Sequence, residues 1–204
     1  ISFEDTLKIL QKRGKFMQEA VPTGEGAMLV VLGISSKELD KILDKNNDIY
    51  KCYIANDNSN LQVVVSGLKK DINLLSDDLN NKKIKNLKLN VSAPFHCKYM
   101  KTASEKMTGY INDLKMKDLE KPIISNVTAN EISSPKEIKS LLILQIEKRV
   151  RWLESVEYMI NNGIKNFVEI GPGKVLSGLI KRINKNVKVN SINNEEDIKL
   201  LING

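Results

Sequence analysis

The chain has 204 residues, 41% of them hydrophobic and 28% charged, and a formal net charge of +7. These values fit one globular unit, or a main domain with a small insert. No apolar run nears the ~18 residues of a membrane-spanning helix, and no secretory signal pattern opens the chain.

The first residues already read as a helix, from about Phe3 to Ala20, with apolar positions at Leu7, Leu10, Phe16 and Met17 and a stop at Pro22. The chain starts at Ile1 inside this pattern, so a segment upstream is expected. Gly26–Gly33 reads as a buried strand, and Ser35–Glu38 as a capping box opening a helix with Leu39, Ile42 and Leu43 on one face. Strand-like runs at Ile49–Ala55 and Leu61–Ser66 flank a turn-rich NDNSN, which predicts a hairpin. A helix follows with Leu68, Ile72, Leu75 and Leu79 on one side. Ile84–Val91 then reads as a strand, with Ile84, Leu87, Leu89 and Val91 apolar.

The order β-α-β-β-α-β over Gly26–Val91 is the ferredoxin-like signature. Beyond it the pattern alternates: helix Tyr99–Leu114, strand Ile123–Asn126, helix Pro135–Gln145, helix Trp152–Asn161, strand Lys165–Ile170, helix Lys174–Ile183, strand Val187–Ile192 and a last helix. That alternation predicts an α/β body built on a parallel sheet. The expected division is a body of residues 1–24 and 92–204 with a ferredoxin-like subdomain, residues 25–91, inserted into it.

His96 is the only histidine and lies in NVSAPFHCKYM, between a strand and a helix, where α/β enzymes keep their chemistry. Histidine is the commonest general base near neutral pH, although a single histidine is more often structural. Cys97 beside it points to the opposite side of an extended chain and is read as packing. Cys52 and Cys97 make no disulfide framework, and with one histidine they offer no zinc cluster, so no metal is expected. They fit a reducing cytosol, and a cytoplasmic location is expected.

Arg13 stands on an otherwise apolar helical stretch, where it needs an anionic partner unless it is simply an exposed charge. EIGPGKVLSGL could hold an anion at a helix N-terminus, but it lacks the P-loop pattern and reads better as a tight strand-to-helix turn. Arginine is confined to Arg13, Arg149, Arg151 and Arg182, so the positive surplus is read as a lysine-rich solvated surface rather than a nucleic-acid footprint. Gln145, at the end of an apolar helix face, says little alone.

Five segments in order, KRGKFMQEAVPTGEGAM, VSAPFHCKYM, ISNVTA, VRWLESVEYMINNG and VEIGPGKVLSGLIKRI, resemble the malonyl-CoA:acyl carrier protein transacylases of type II fatty acid synthesis. The resemblance runs the length of the chain. It implies a hydrolase-like acyltransferase body with a small inserted subdomain, and ping-pong malonyl transfer from malonyl-CoA to the phosphopantetheine thiol of acyl carrier protein. By the same resemblance, His96 is the base and Gln145 supplies the main-chain carbonyl that orients it. Arg13 pairs with the malonyl carboxylate, Met17 and Phe95 line the acyl pocket, and Asn126 and Asn58 match polar positions beside it.

No cofactor, membrane or nucleic acid is implied, and a monomer is expected. The family's Gly-x-Ser-x-Gly elbow does not occur in these residues, and the Gly-Gln loop that completes the oxyanion hole is not found either. The serine is expected upstream of Ile1, so this chain alone is expected to be inactive. Lys148 and Arg149 stand where many members carry Asn-Pro, which predicts a different bend there. Two alternatives are the acyltransferase module of a polyketide synthase and a non-catalytic basic ferredoxin-like binder. The latter predicts aromatic residues on an open sheet face.

Overall fold

The computed structural model describes residues 1–203. Helix α1 (Phe3–Gln18) is opened by Ser2, whose hydroxyl accepts from the Asp5 amide at 3.0 Å, with Glu4 and Asp5 in the first turn where the helix dipole favours them. Its inward stripe runs Ile9, Arg13, Phe16 and Met17 at helical spacing, and Ala20 just past its end joins the same cluster. It packs on α4 (Lys101–Asn112) through a cluster that includes Met107 and Ile111. Leu7 and Leu10, also read as apolar positions, are 51% and 55% exposed among the described residues and lie outside the cluster that α4 covers. Arg13 falls on the buried stripe.

Residues 26–88 form β1 (Gly26–Leu32), α2 (Ser36–Lys45), β2 (Cys52–Ser59), β3 (Gln62–Leu68), α3 (Lys69–Asn81) and β4 (Asn86–Lys88). The strands make one sheet in the order β2-β3-β1-β4, and every neighbouring pair is antiparallel. Strand alternation sends Leu29, Val31, Val63 and Val65 against Leu39 of α2 and Leu75 of α3. Each such fully buried side chain contributes roughly 1.5–3 kcal/mol. The opposite face carries Met28, Ala55 and Val64, buried against Phe95. Neither face is an open aromatic platform, which removes the basis for a base-stacking binder.

Two expectations are corrected here. The polar segment Asn56–Ser59 continues as strand instead of turning, because it pairs on both sides. Asp57 N donates to Val150 O at 2.9 Å across a parallel bridge, while the other side follows β3 with two register shifts. The last strand is only three residues long and sits at the sheet edge, so Leu87 is 66% exposed.

The remainder comprises a 3-10 turn at Lys98–Met100, α4, β5 (Ile123–Ile124), β6 (Glu131–Ile132), α5 (Pro135–Glu147), α6 (Trp152–Asn161), β7 (Asn166–Ile170), α7 (Val175–Ile183), β8 (Lys188–Ile192) and α8 (Glu195–Asn203). Strands β7 and β8 pair in parallel across the α7 crossover, over a core of Val156, Phe167, Ile180 and Val187. Among the described residues this is the parallel sheet of the body, the single Asn56–Val150 bridge aside.

The expected strand at Ile123–Asn126 is instead β5, paired antiparallel with β6. The connection between them is closed by Ser125 N to Asn130 O at 3.0 Å and Ala129 N to Ser125 O at 2.8 Å, too short for the crossover that parallel pairing needs. No helix among the described residues is long and apolar enough to cross a membrane.

The two parts meet where the loop Ala93–Cys97 lies on the first residue of β1. A Cβ at Gly26 would stand 2.2 Å from Pro94 Cδ and 2.7 Å from Pro94 N, so only glycine admits the loop at this distance. Gly26→Ala should lower stability by about 1–3 kcal/mol through overpacking, read as an earlier urea midpoint with an unchanged slope.

Candidate active site

The loop that carries His96 is held from three directions. Pro94 rests on Gly26, the Ser66 hydroxyl of β3 donates to Phe95 O at 2.6 Å, and the Cys97 thiol donates to Pro94 O at 3.0 Å. His96 itself has φ +57°, in the left-handed region. For a non-glycine residue this costs of order 1–3 kcal/mol and persists only where surrounding contacts hold it. Here the contact lies on the imidazole, whose Nδ1 is 2.8 Å from the main-chain oxygen of Gln145. A carbonyl only accepts, so Nδ1 carries the proton and the lone pair is on Nε2.

Gln145 can offer that oxygen because of where α5 ends. Its last helical bond runs from Lys148 N to Leu144 O at 2.9 Å, and Lys148 leaves the helix with φ −97° and ψ 151°. The Gln145 carbonyl would otherwise accept from the amide four residues on; instead it is one of the unpaired carbonyls of a helix C-terminus. The Gln145 side chain is fixed as well, donating through Nε2 to Asn126 Oδ1 at 2.8 Å, while Asn126 O accepts from Arg151 N at 2.8 Å. Asn126 thus anchors the end of α5.

Arg13 reaches the same place from α1. It is half-buried, and burial lowers its pKa from the ordinary arginine value, yet it stays cationic at any working pH. No carboxylate pairs with it among the described residues. Met17 is buried in the cluster on which Phe95 packs, one helical turn from Arg13. Asn58 lies farther along β2 and makes no hydrogen bond to His96, Gln145 or Arg13 among the described residues. The structure therefore links His96, Gln145 and Asn126 by hydrogen bonds, packs Met17 and Phe95 in one cluster and sets the charge of Arg13 beside His96, while Asn58 joins none of these contacts among the described residues.

The other candidates have local explanations. The α7 N-terminus is filled by the chain's own Glu169, which accepts from Leu176 N at 3.0 Å and Ser177 N at 2.7 Å. Both cysteines are free and buried, and burial pushes the Cys97 thiol up to about 11, so it is not a nucleophile. Among the described residues no group of three or more His, Cys, Asp or Glu is placed to bind a metal. Local sequence patterns did not reveal Gly26, Ser66 or the ion cluster in which Arg149 meets Asp57 at 2.8 Å and Asp40 at 3.2 Å. Their partners lie far away in sequence.

Burial lowers the His96 pKa below the ordinary ~6.5; the hydrogen bond to Gln145 O opposes this and the positive charge of Arg13 adds to it. The imidazole is therefore neutral near pH 7. A lowered folded-state value means that the unfolded chain binds the extra proton first, so its contribution to stability is full above the unfolded pKa and is lost as pH falls toward the folded one. Between about pH 7 and about pH 5 the protein should lose more stability than His96→Gln does, measured as the difference in urea midpoints.

The Acyl transferase domain family matches residues 1–196. The malonyl CoA-acyl carrier protein transacylase of Bacillus subtilis (strain 168) is 40% identical over 204 residues, covering 99% of this chain and 64% of that protein. The crystal structure of the malonyl CoA-acyl carrier protein transacylase from Clostridium perfringens ATCC 13124 superposes with a TM-score of 0.94 at 37% identity, over 100% of this chain and 64% of that one. A malonyl-transacylase solved in complex with its type II PKS acyl-carrier protein gives a TM-score of 0.94 at 33% identity, over 100% of this chain and 67% of that one. The chain thus spans a little under two thirds of the curated relative's length. The match across nearly all of its residues, around a histidine fixed by a main-chain carbonyl beside an unpaired arginine, places the chain in the acyl transferase domain family.

Proposed function

We propose that this chain contributes the base and the acyl-recognition groups of a malonyl-CoA:acyl carrier protein transacylase. The observation that carries the proposal is the pairing of a neutral His96, its Nδ1–H held by Gln145 O, with an Arg13 that has no carboxylate of its own. A neutral imidazole with a free Nε2 can take a proton from a nucleophile. A half-buried guanidinium without a partner suits an acyl group that ends in a carboxylate.

The chemistry is a two-step acyl transfer in which a serine hydroxyl gives its proton to Nε2 and attacks the malonyl thioester carbonyl. The coenzyme A thiolate leaves with the proton from the imidazolium. The phosphopantetheine thiol of acyl carrier protein then gives its proton to the same Nε2 and attacks the malonyl-serine ester, and the serine oxygen leaves with that proton from the imidazolium, which restores the neutral histidine. The residues of this chain include no Gly-x-Ser-x-Gly, so the nucleophile is a separate requirement of the proposal.

The remaining parts of the reading follow from the same assignment. Met17 and Phe95 form the acyl wall, while Asn126 is read as support for Gln145 beside the pocket. Residues 25–91 act as a ferredoxin-like unit inserted in an α/β body, no cofactor takes part, and the enzyme works as a cytoplasmic monomer. A relative bound to a polyketide carrier protein favours carriers of that class as a second source of the same thiol.

In the serine-bearing enzyme, Arg13→Ala should cost roughly 2–5 kcal/mol in malonyl transfer, about 30- to several-thousand-fold, and leave acetyl transfer little changed. Equal losses on both substrates would remove Arg13 from carboxylate recognition. His96→Ala should slow both acylation and discharge by roughly 10²–10⁴-fold in rapid-quench assays. Near-normal turnover would eliminate His96 as the base.

A further inference from the structure

We propose that Arg149, clamped by Asp57 and Asp40, is a positioning residue that stops α5 and so reserves the Gln145 carbonyl for His96. The inference rests on the reading of His96 as the base. It starts from a competition for one oxygen. If α5 continued for one more turn, the amide of Arg149 would be the natural donor to Gln145 O, four residues back. In the structure that amide makes no hydrogen bond among the described residues, and His96 holds the oxygen at 2.8 Å.

What holds the chain off the helical path is visible on the far side of residue 148. Arg149 reaches across to the small sheet, donating from Nη2 to Asp57 Oδ2 at 2.8 Å and from Nη1 to Asp40 Oδ2 at 3.2 Å. Next to it, Val150 N donates to Ala55 O at 2.7 Å and Val150 O accepts from Asp57 N at 2.9 Å, which binds the segment to β2 as extended chain. Arg151 N completes the path at Asn126 O, which returns to Gln145 through the Asn126 side chain.

The clamp is poorly built for stability alone. Asp57 is 3% exposed, and its Oδ1, like Arg149 Nε, is buried without a hydrogen-bond partner among the described residues. Only the Asp57 side of the clamp is buried, with Arg149 29% and Asp40 48% exposed in their side chains; a pair sheltered on one side with unmet donors and acceptors is weak evidence of net stabilisation, and fixing a register is the best-attested use of such pairs.

Proline at position 149 would reach the same end by another route. Proline has no N–H, so at this position it cannot claim the Gln145 carbonyl, and it forces the preceding residue into an extended conformation. Lys148 already has that conformation, with φ −97° and ψ 151°. On this account, Arg149 achieves by an ion pair what a proline there would achieve by covalent structure.

The test uses the fact that His96 is the only histidine, so its imidazole signals in ¹H–¹⁵N NMR need no assignment. In the wild-type protein the Nδ1–H signal should be present and slow to exchange. Arg149→Ala should lose it, slow the exchange of the residue-149 amide as α5 lengthens, and lower the His96 pKa by about one unit as the imidazolium loses an acceptor. Asp57→Asn should move all three readouts in the same direction by less, and Arg149→Lys should recover part of the loss. Arg149→Pro should restore the Nδ1–H signal and the pKa without any guanidinium.

Arg13, the charged group that bears on His96, is unchanged in every variant. If Arg149 acted only as a nearby positive charge, Ala and Pro would raise the His96 pKa equally, and that result would overturn the proposal. So would an Nδ1–H signal that survives in Arg149→Ala. Malonyl transfer in the serine-bearing enzyme separates the two readings. Nδ1–H loss accompanied by a slower reaction, recovered in Arg149→Pro, supports both. Nδ1–H loss with unchanged transfer supports the positioning and refutes His96 as the base.

Discussion

One main-chain oxygen organises this site. The carbonyl of Gln145 is unpaired because α5 ends, and His96 takes the position that the next turn of helix would have filled. That single acceptor fixes the tautomer of the imidazole, leaves Nε2 free, and offsets part of the burial that lowers the histidine's pKa. The rest of the fold converges on the same bond from two sides. The small sheet presents Gly26 and Ser66 to the histidine loop, while β2 captures the chain leaving α5.

How much of this was legible in the sequence depends on how far each signal had to travel along the chain. The capping box at Ser35, the strand and helix order from Gly26 to Lys88, and the His96 loop follow local rules, and local periodicity finds them. Of the apolar positions read on α1, Phe16 and Met17 join the core shared with α4, a partner about ninety residues later that local periodicity does not name, and Leu7 and Leu10 lie outside that cluster.

The polar run at Asn56–Ser59 was read as a turn for a similar reason. Asparagine, aspartate and serine favour turns, but here their backbone pairs with Val150 and their one buried carboxylate with Arg149. A hairpin in place of a parallel strand at Ile123 was hidden by the brevity of both its strands. Among the site residues, Arg13 carried a weak signal, the one arginine of a helix that also holds Lys8, Lys12 and Lys15, and alone it reads as an exposed charge. Gln145 carried almost none, because its contribution is a backbone atom whose availability depends on a helix end that the side chain does not encode.

The electrostatics of the pair Arg13 and His96 bear on the order of events in the proposed reaction. Before an acyl group arrives, Arg13 has no carboxylate partner among the described residues, and its charge helps keep His96 neutral. A malonyl carboxylate placed on Arg13 cancels that charge locally, so the histidine gains proton affinity when the substrate able to react is in place. An acetyl group offers no such charge and leaves the imidazole a weaker base. On the proposed function, carboxylate recognition and base strength would be coupled through a single cation. The coupling is effective only while Gln145 holds the ring still, which returns the whole arrangement to the carbonyl that α5 leaves free.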